Sequence, residues 1–211
     1  IIDTLNILRK RNIISDYYSV LVDKRIPVFS GMGGGTSNAV CLIKYLARNK
    51  ITKNLFNILD KKIGSDLKLF FYEQGFLKNL KIINDFPRKY RLYFLLVYPN
   101  VRCSTRYVYS KVKKYSSKST YSFSKINDKS KFIDFLVNEN NDLQSIVENK
   151  YPTIKKLIKE IGMKKGCYFS RMTGSGSVCY GVFTSRKTAK AALNEIKLKY
   201  PKCWLSVAKT I

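Results

Sequence analysis

The chain has 211 residues, 45% of them hydrophobic and 13% aromatic, enough to bury a folded core and too apolar for a disordered tail. Its 40 lysines and arginines against 14 acids give a formal charge of +26, and there is no histidine. No apolar run approaches the length of a membrane span, no signal-peptide pattern opens the chain, and the five cysteines form no Cys-x-x-Cys pair that would suit structural zinc.

The charge invites a nucleic-acid partner, but the lysines are spread along the chain instead of forming one stripe. Lys, Ile, Asn, Tyr and Phe are abundant, and alanine occurs only at positions 39, 47, 189, 191, 192 and 208, a bias that an AT-rich coding sequence imposes. The expectation is a solvated basic surface with no nucleic-acid or membrane partner, able to help gather an anionic nucleotide. Scattered single cysteines fit a reducing cytoplasm, where they serve as small hydrophobes.

In chain order, the first dozen residues suit a helix with Ile2, Leu5 and Leu8 on one face, and they read as the inside of an element rather than its start. Tyr17 to Val22 reads as a strand, running through Lys24 and Arg25 to Pro27 and a glycine-dense turn. Asn38 to Arg48 resumes helical spacing, and a further helix covers about Lys53 to Lys62. Arg91 to Tyr98 is a buried strand stopped by Pro99, and Ser104 can cap a short helix. Lys113 to Lys131, rich in Ser and Lys, reads as a mobile loop. Helices are expected near Phe132 to Val137 and Asp142 to Asn149, with another that has Pro152 in its first turn and Gly162 just past its end. The C-terminal part reads as strand, glycine turn (Gly174-Ser175-Gly176), strand from Val178 to Phe183, helix, and a last strand near Leu205. There is no internal repeat, and the class is α/β or α+β.

The most informative segment is Pro27-Val28-Phe29-Ser30-Gly31-Met32-Gly33-Gly34-Gly35-Thr36-Ser37, between a strand and a helix. Glycines at 31, 33, 34 and 35 let backbone N–H groups converge, and the helix behind them presents unpaired N–H groups and its positive dipole end, a phosphate cradle. It is neither a Walker loop, since no Lys follows the glycines, nor a Rossmann fingerprint; taken alone, it also suits a tight structural turn.

Pro, three residues, Gly, an aliphatic residue, three glycines and two hydroxyl residues resemble the nucleotide-binding motif of the GHMP kinases, which phosphorylate small alcohols with ATP. Three more segments follow in that family's order: Gly64-Ser65-Asp66-Leu67-Lys68-Leu69-Phe70-Phe71, Asn141-Asp142-Leu143 before Tyr151-Pro152, and Arg171-Met172-Thr173-Gly174-Ser175-Gly176-Ser177. The resemblance spans about Lys24 to Phe183. Lys68 stands where the family has Pro, and a Gly-x-Gly-Glu stretch usual after that motif is not visible in Leu77 to Asn84.

The resemblance implies a two-domain α/β (α+β) fold. A nucleotide half like ribosomal protein S5 domain 2 (1–87) would precede a ferredoxin-like half (88–211). The branch it resembles most acts on a cytidine diphosphate-linked methylerythritol in isoprenoid synthesis; homoserine- or mevalonate-type kinases, or a basic S5-like RNA-binding protein, are the alternatives. ATP and Mg²⁺ are the implied cofactors, in a monomer or homodimer. Pro27 to Ser37 would hold the nucleotide, with Ser37 also reaching the metal. Asp66 would be the catalytic base, and Thr105, Tyr109, Gly174, Ser175 and Gly176 would meet the substrate. On the residues alone, Asp66 equally suits a turn or cap, Ser37 a helix cap, Tyr109 a half-buried helix tyrosine, and Gly174 to Gly176 a hairpin turn. The family's first motif, with a catalytic Lys and a substrate-reading His, has no counterpart here, so roughly 70 to 80 N-terminal residues are expected to be missing. The chain is therefore expected not to turn over substrate by itself.

Overall fold

The computed structural model describes residues 1–64, 66–78, 82–86, 88–116 and 126–210. The chain forms two compact units: Ile1–Arg25 with Gly33–Lys89, and Ile26–Met32 with Tyr90–Ile211.

In the first unit, α1 (Ile2–Lys10), α2 (Gly34–Ala47) and α3 (Lys53–Ile63) bury Leu8, Val40, Ile43, Ala47, Leu55 and Leu59 in one cluster with Leu67. α3 starts where Thr52 Oγ1 accepts the Leu55 N–H at 3.2 Å, and it ends at Gly64. A 3-10 turn, Leu67–Phe71, and an antiparallel hairpin of β1 (Gly75–Lys78) and β2 (Ile82–Asp85) follow. The Leu77 to Asn84 stretch thus falls on this hairpin, with 79–81 outside the described residues.

Three expectations for this unit are corrected. Tyr17 to Val22 is no strand: it joins no ladder among the described residues, and Leu21 is 97% exposed. Alternating apolar residues make a strand only where a neighbour takes their N–H and C=O groups. The segment instead returns to α1, where the Arg9 guanidinium donates to Asp16 O at 2.9 Å and lies 4.2 Å over the Tyr17 ring. The inward face of α1 runs through Thr4 and Leu8, leaving Ile2 exposed. α2 also starts earlier than its apolar spacing indicates, at Gly34.

The second unit is built on β3 (Tyr93–Tyr98), β4 (Cys167–Met172), β5 (Cys179–Phe183) and β6 (Trp204–Lys209), antiparallel in the order β4-β5-β3-β6. Leu95 pairs with Gly181 on one side and Val207 on the other. Between β3 and β4 lie α4 (Thr105–Ser110), α5 (Lys129–Asn138), α6 (Gln144–Lys150) and α7 (Pro152–Gly162); α8 (Arg186–Lys199) joins β5 to β6. α7 packs on β4 and β5 and α8 on β3 and β6, burying Ile154, Leu157, Ile161, Ala189, Ala192 and Ile196 against Leu95, Val97 and Phe183. This is the expected ferredoxin-like arrangement. Pro152 opens α7 as expected, but Gly162 is its last residue rather than the one after it. Of the expected loop, 117–125 lies outside the described residues, and Lys129 to Lys131 already belong to α5, capped by Asp128 accepting the Lys131 N–H at 2.8 Å.

All five cysteines are free. Burial holds the Cys103, Cys179 and Cys203 thiols above their ordinary pKa and pushes Cys167 up to about 11. These four behave as neutral packing groups, whereas Cys41 is exposed.

Glu160 ties the helical layer together. Its carboxylate meets Lys199 of α8 at 2.6 Å and Lys164 at 3.1 Å, and Lys164 also reaches Glu195 at 3.0 Å. Hydrogen bonds from Lys199 and then Lys164 hold the Glu160 carboxyl below its usual range. A carboxyl depressed by folding contributes stability above its unfolded pKa, about 4.3, and loses it as pH falls through the folded value. Glu160→Gln should therefore lower stability at pH 7 by about 1 kcal/mol in urea unfolding, with the difference from wild type shrinking as pH falls below about 4.3 and disappearing only once the folded carboxyl is itself protonated. An equal deficit at pH 3 and pH 7 would show that the ion pairs are not its source.

Candidate active site

In the first unit the start of α2 is an open helix terminus. Its N-cap, Gly33, is left-handed (φ 63°) and offers no side chain to the following N–H groups. Ser37 N–H makes the first intrahelical bond, to Gly33 O at 2.9 Å, and the first turn holds no acid. The N–H groups of Gly34, Gly35 and Thr36 and the helix dipole thus favour an anion.

The glycines here answer to different neighbours. A Cβ at Gly33 would stand 2.7 Å from the Phe70 ring, whereas a Cβ at Gly35 would meet nothing within 4 Å. At Gly35, unlike Gly33, the missing side chain leaves open space, which suits a phosphate. The ring of Phe70 is held because Lys44 of α2 donates to Phe70 O at 3.0 Å.

Asp66 sits on the turn that leads into Leu67–Phe71. A Cβ at Gly64 would lie 4.0 Å from Thr36 Oγ1, so this turn runs beside the start of α2. Asp66 is exposed and its carboxylate makes no cap hydrogen bond to the 3-10 turn; among the described residues its backbone carbonyl accepts the Leu69 N–H at 3.1 Å. Ser65 lies outside the described residues. Lys68, at the position of the family's Pro, pairs with Asp60 of α3 at 3.1 Å and so fastens the turn to the helix before it.

In the second unit the other end of the glycine segment is seated on the β4–β5 turn. Ser30 O accepts both the Val178 N–H (3.1 Å) and the Thr173 hydroxyl (3.2 Å). Gly31 has φ 74°, and a Cβ there would lie 2.6 Å from Gly176 O and 2.8 Å from Thr173 O. Gly176, at φ 90°, would bring a Cβ to 2.8 Å from Met172 Sδ. Gly174 to Gly176 is thus the hairpin turn that the sequence allowed, and it is also the seat of Ser30 and Gly31.

The proposed substrate residues gather at this turn. Ser104 Oγ caps α4 by accepting the Tyr107 N–H at 3.2 Å, and the Thr105 hydroxyl lies 2.9 Å from Ser175 Oγ. Tyr109, 53% exposed, follows one turn later on the same face as Thr105. Sequence reasoning missed Arg102, whose guanidinium lies 5.5 Å from the centre of the exposed Phe29 ring; nothing in the sequence links the two.

Three comparisons bear on this geometry. The family described as "GHMP kinases C terminal" matches residues 127–202. A 4-diphosphocytidyl-2-C-methyl-D-erythritol kinase from Pelagibacter ubique is 33% identical over 98% of this chain and 74% of its own length. The chain belongs to the 4-diphosphocytidyl-2-C-methyl-D-erythritol kinase family of GHMP kinases. A crystal structure of a 4-(cytidine 5'-diphospho)-2C-methyl-D-erythritol kinase superposes with a TM-score of 0.66 at 18% identity, over 88% of this chain and 68% of the other. A homoserine kinase from Cytophaga hutchinsonii follows at 0.61 and 15% identity, over 100% and 74%. The fold is therefore shared with a kinase named for another alcohol, and within the GHMP kinases it is the sequence that marks the diphosphocytidyl-methylerythritol kinase branch.

The glycine geometry separates stability from binding in this kinase. Gly31→Ala should cost about 1–3 kcal/mol, from a left-handed φ and a backbone collision. Gly35→Ala should leave stability unchanged or raise it by up to about 1 kcal/mol. Urea unfolding of both variants checks this, and equal losses would mean that Gly35 is constrained by the chain after all.

Proposed function

We propose that the chain transfers the γ-phosphoryl group of ATP to the 2-hydroxyl of 4-diphosphocytidyl-2-C-methyl-D-erythritol. The observation that carries this reading is the uncapped, acid-free start of α2 with open space at Gly35, beside the turn of Asp66, in a chain of this family.

The residues present fit a nucleotide triphosphate. Pro27, Val28, Phe29, Ser30, Gly31 and Met32 bring the chain to the cradle, and the N–H groups of Gly33, Gly34, Gly35 and Thr36 hold phosphate oxygens. No group of three or more His, Cys, Asp or Glu among the described residues could hold a metal, so Mg²⁺ would arrive on the phosphates with the Ser37 hydroxyl as its protein ligand. Bound Mg²⁺ supplies charge neutralisation for the transferring group. Asp66 accepts the proton of the attacking hydroxyl, a role for which an exposed carboxylate with no capping duty is free. Thr105 and Ser175, with Gly174 and Gly176, position the substrate, and Tyr109 offers a ring for the cytosine to stack on. The free thiols suit a cytoplasmic enzyme, and no helix among the described residues is long and apolar enough to cross a membrane.

Two measurements test the reading. Gly35→Val should raise the calorimetric Kd for ATP at least about tenfold without loss of fold, because its Cβ meets nothing within 4 Å and its methyl groups occupy space the anion needs. Coupled ADP release should depend on the diphosphocytidyl alcohol and not on homoserine or mevalonate, and Asp66→Asn should cut turnover by about 10²- to 10⁴-fold. Turnover within a few-fold of wild type would return Asp66 to a turn residue.

A further inference from the structure

We infer that Asn141 is a positioning residue that sets the backbone of the Thr173–Ser177 turn and, through it, the Ser30–Gly31 end of the nucleotide loop. The inference rests on the functional reading above, but its structural half can be measured without it.

β4 is an edge strand of its sheet, so the outward N–H and C=O of its last residue, Met172, have no strand to pair with. Two side chains, one from the turn before α6 and one from its first residue, take the place of that strand. Gln144 Oε1 accepts the Met172 N–H at 3.0 Å, and Asn141 Nδ2 donates to Met172 O at 3.0 Å. The same Asn141 amide donates its second hydrogen to Gly174 O at 2.9 Å. One NH₂ group thus spans two carbonyls across the point where the strand gives way to the turn. Asn141 is itself fixed, because its Oδ1 accepts the Leu143 N–H at 3.0 Å and its carbonyl accepts the Gln144 N–H at 2.9 Å.

From there the constraint passes along hydrogen bonds. Gly176 N–H donates back to Thr173 O at 2.8 Å, closing the turn. The Thr173 hydroxyl and the Val178 N–H, on either side of it, both hold Ser30 O. Gly31 then packs against the turn so closely that there is no room for a Cβ between it and Thr173 O or Gly176 O, so the course of the turn constrains the course of Gly31. Ser30 and Gly31 stand three and two residues before Gly33, the cap of α2. A residue that touches neither nucleotide nor alcohol therefore governs where the loop begins.

A purely local role for Asn141 makes a different prediction. In Asn141→Asp the Oδ1 acceptor for Leu143 N–H remains, so the start of α6 is kept. The donor is replaced by a second acceptor facing two carbonyl oxygens, which repel it. Asn141→Ala removes both functions. If Asn141 positions the turn, Asp should be at least as damaging as Ala. The Kd for ATP should rise about tenfold in both variants, and amide exchange at Gly176 and Val178 should quicken by about tenfold or more while α6 amides stay protected in the Asp variant. If Asn141 serves only the local turn, Asp should match wild type in both readouts, and that result would overturn the inference. Should the wild-type chain not bind ATP at all, the functional reading fails, and exchange at Gly176 and Val178 still decides whether Asn141 holds the turn.

Discussion

A single carbonyl oxygen, that of Ser30, organises one end of the second unit. It accepts from the Val178 N–H and from the Thr173 hydroxyl, and this is possible because Gly31 carries no Cβ where Gly176 O approaches. Backbone lying this close to backbone excludes water and leaves little freedom to either segment. The turn is then fastened on its far side by Asn141 and by the Thr105–Ser175 hydroxyl pair, while the Ser177 hydroxyl donates to Val101 O. Segments from three other parts of the chain, at Ser30–Gly31, Val101–Thr105 and Asn141, therefore fix one short stretch of main chain. Loops that must hold charged groups in a defined geometry need support of this kind, since a loose cradle forfeits the gain from orientation.

Much of the second unit was legible because its signals are local. Ser104, Pro152 and the apolar spacing of α8 each act within a few residues, and β3 reads as a buried run ended by Pro99. Tyr17 to Val22 shows the limit, since its alternation is also local but a strand is a property of two segments. The glycine segment shows the limit more finely. Its composition says that Cβ atoms are unwelcome but not why: Gly31 yields to the 173–176 backbone, Gly33 to a Phe70 ring, and Gly35 to nothing in the chain. Likewise Asn141 stood in a recognisable segment, yet its amide reaches carbonyls 31 and 33 residues away, a pairing no spacing rule contains.

The charge reads differently once the acids are located. With 14 carboxylates among 40 cations, Coulomb attraction alone would draw each acid into a pair. Several are so used: Asp60 by Lys68, Glu160 by Lys164 and Lys199, and Asp128 as the cap of α5 and a partner of Lys131. The first turn of α2 is left without an acid of its own. An uncapped positive terminus on a basic chain favours anions over cations in its neighbourhood.

Asp66 is the complement of that arrangement. Among the described residues its carboxylate joins no ion pair, although the next cation along the chain, Lys68, is only two positions away. Lys68 is turned to Asp60 instead, and with both side chains mostly buried that pair persists through the fluctuations that dissolve exposed ones. The substitution of Lys for the family's Pro thus leaves Asp66 uncommitted while fixing the turn that carries it. A carboxylate locked to a neighbouring ammonium would be a weaker proton acceptor, because the pair favours the charged form. Holding the cation elsewhere leaves the carboxylate uncommitted, as the role of proton acceptor proposed for it requires.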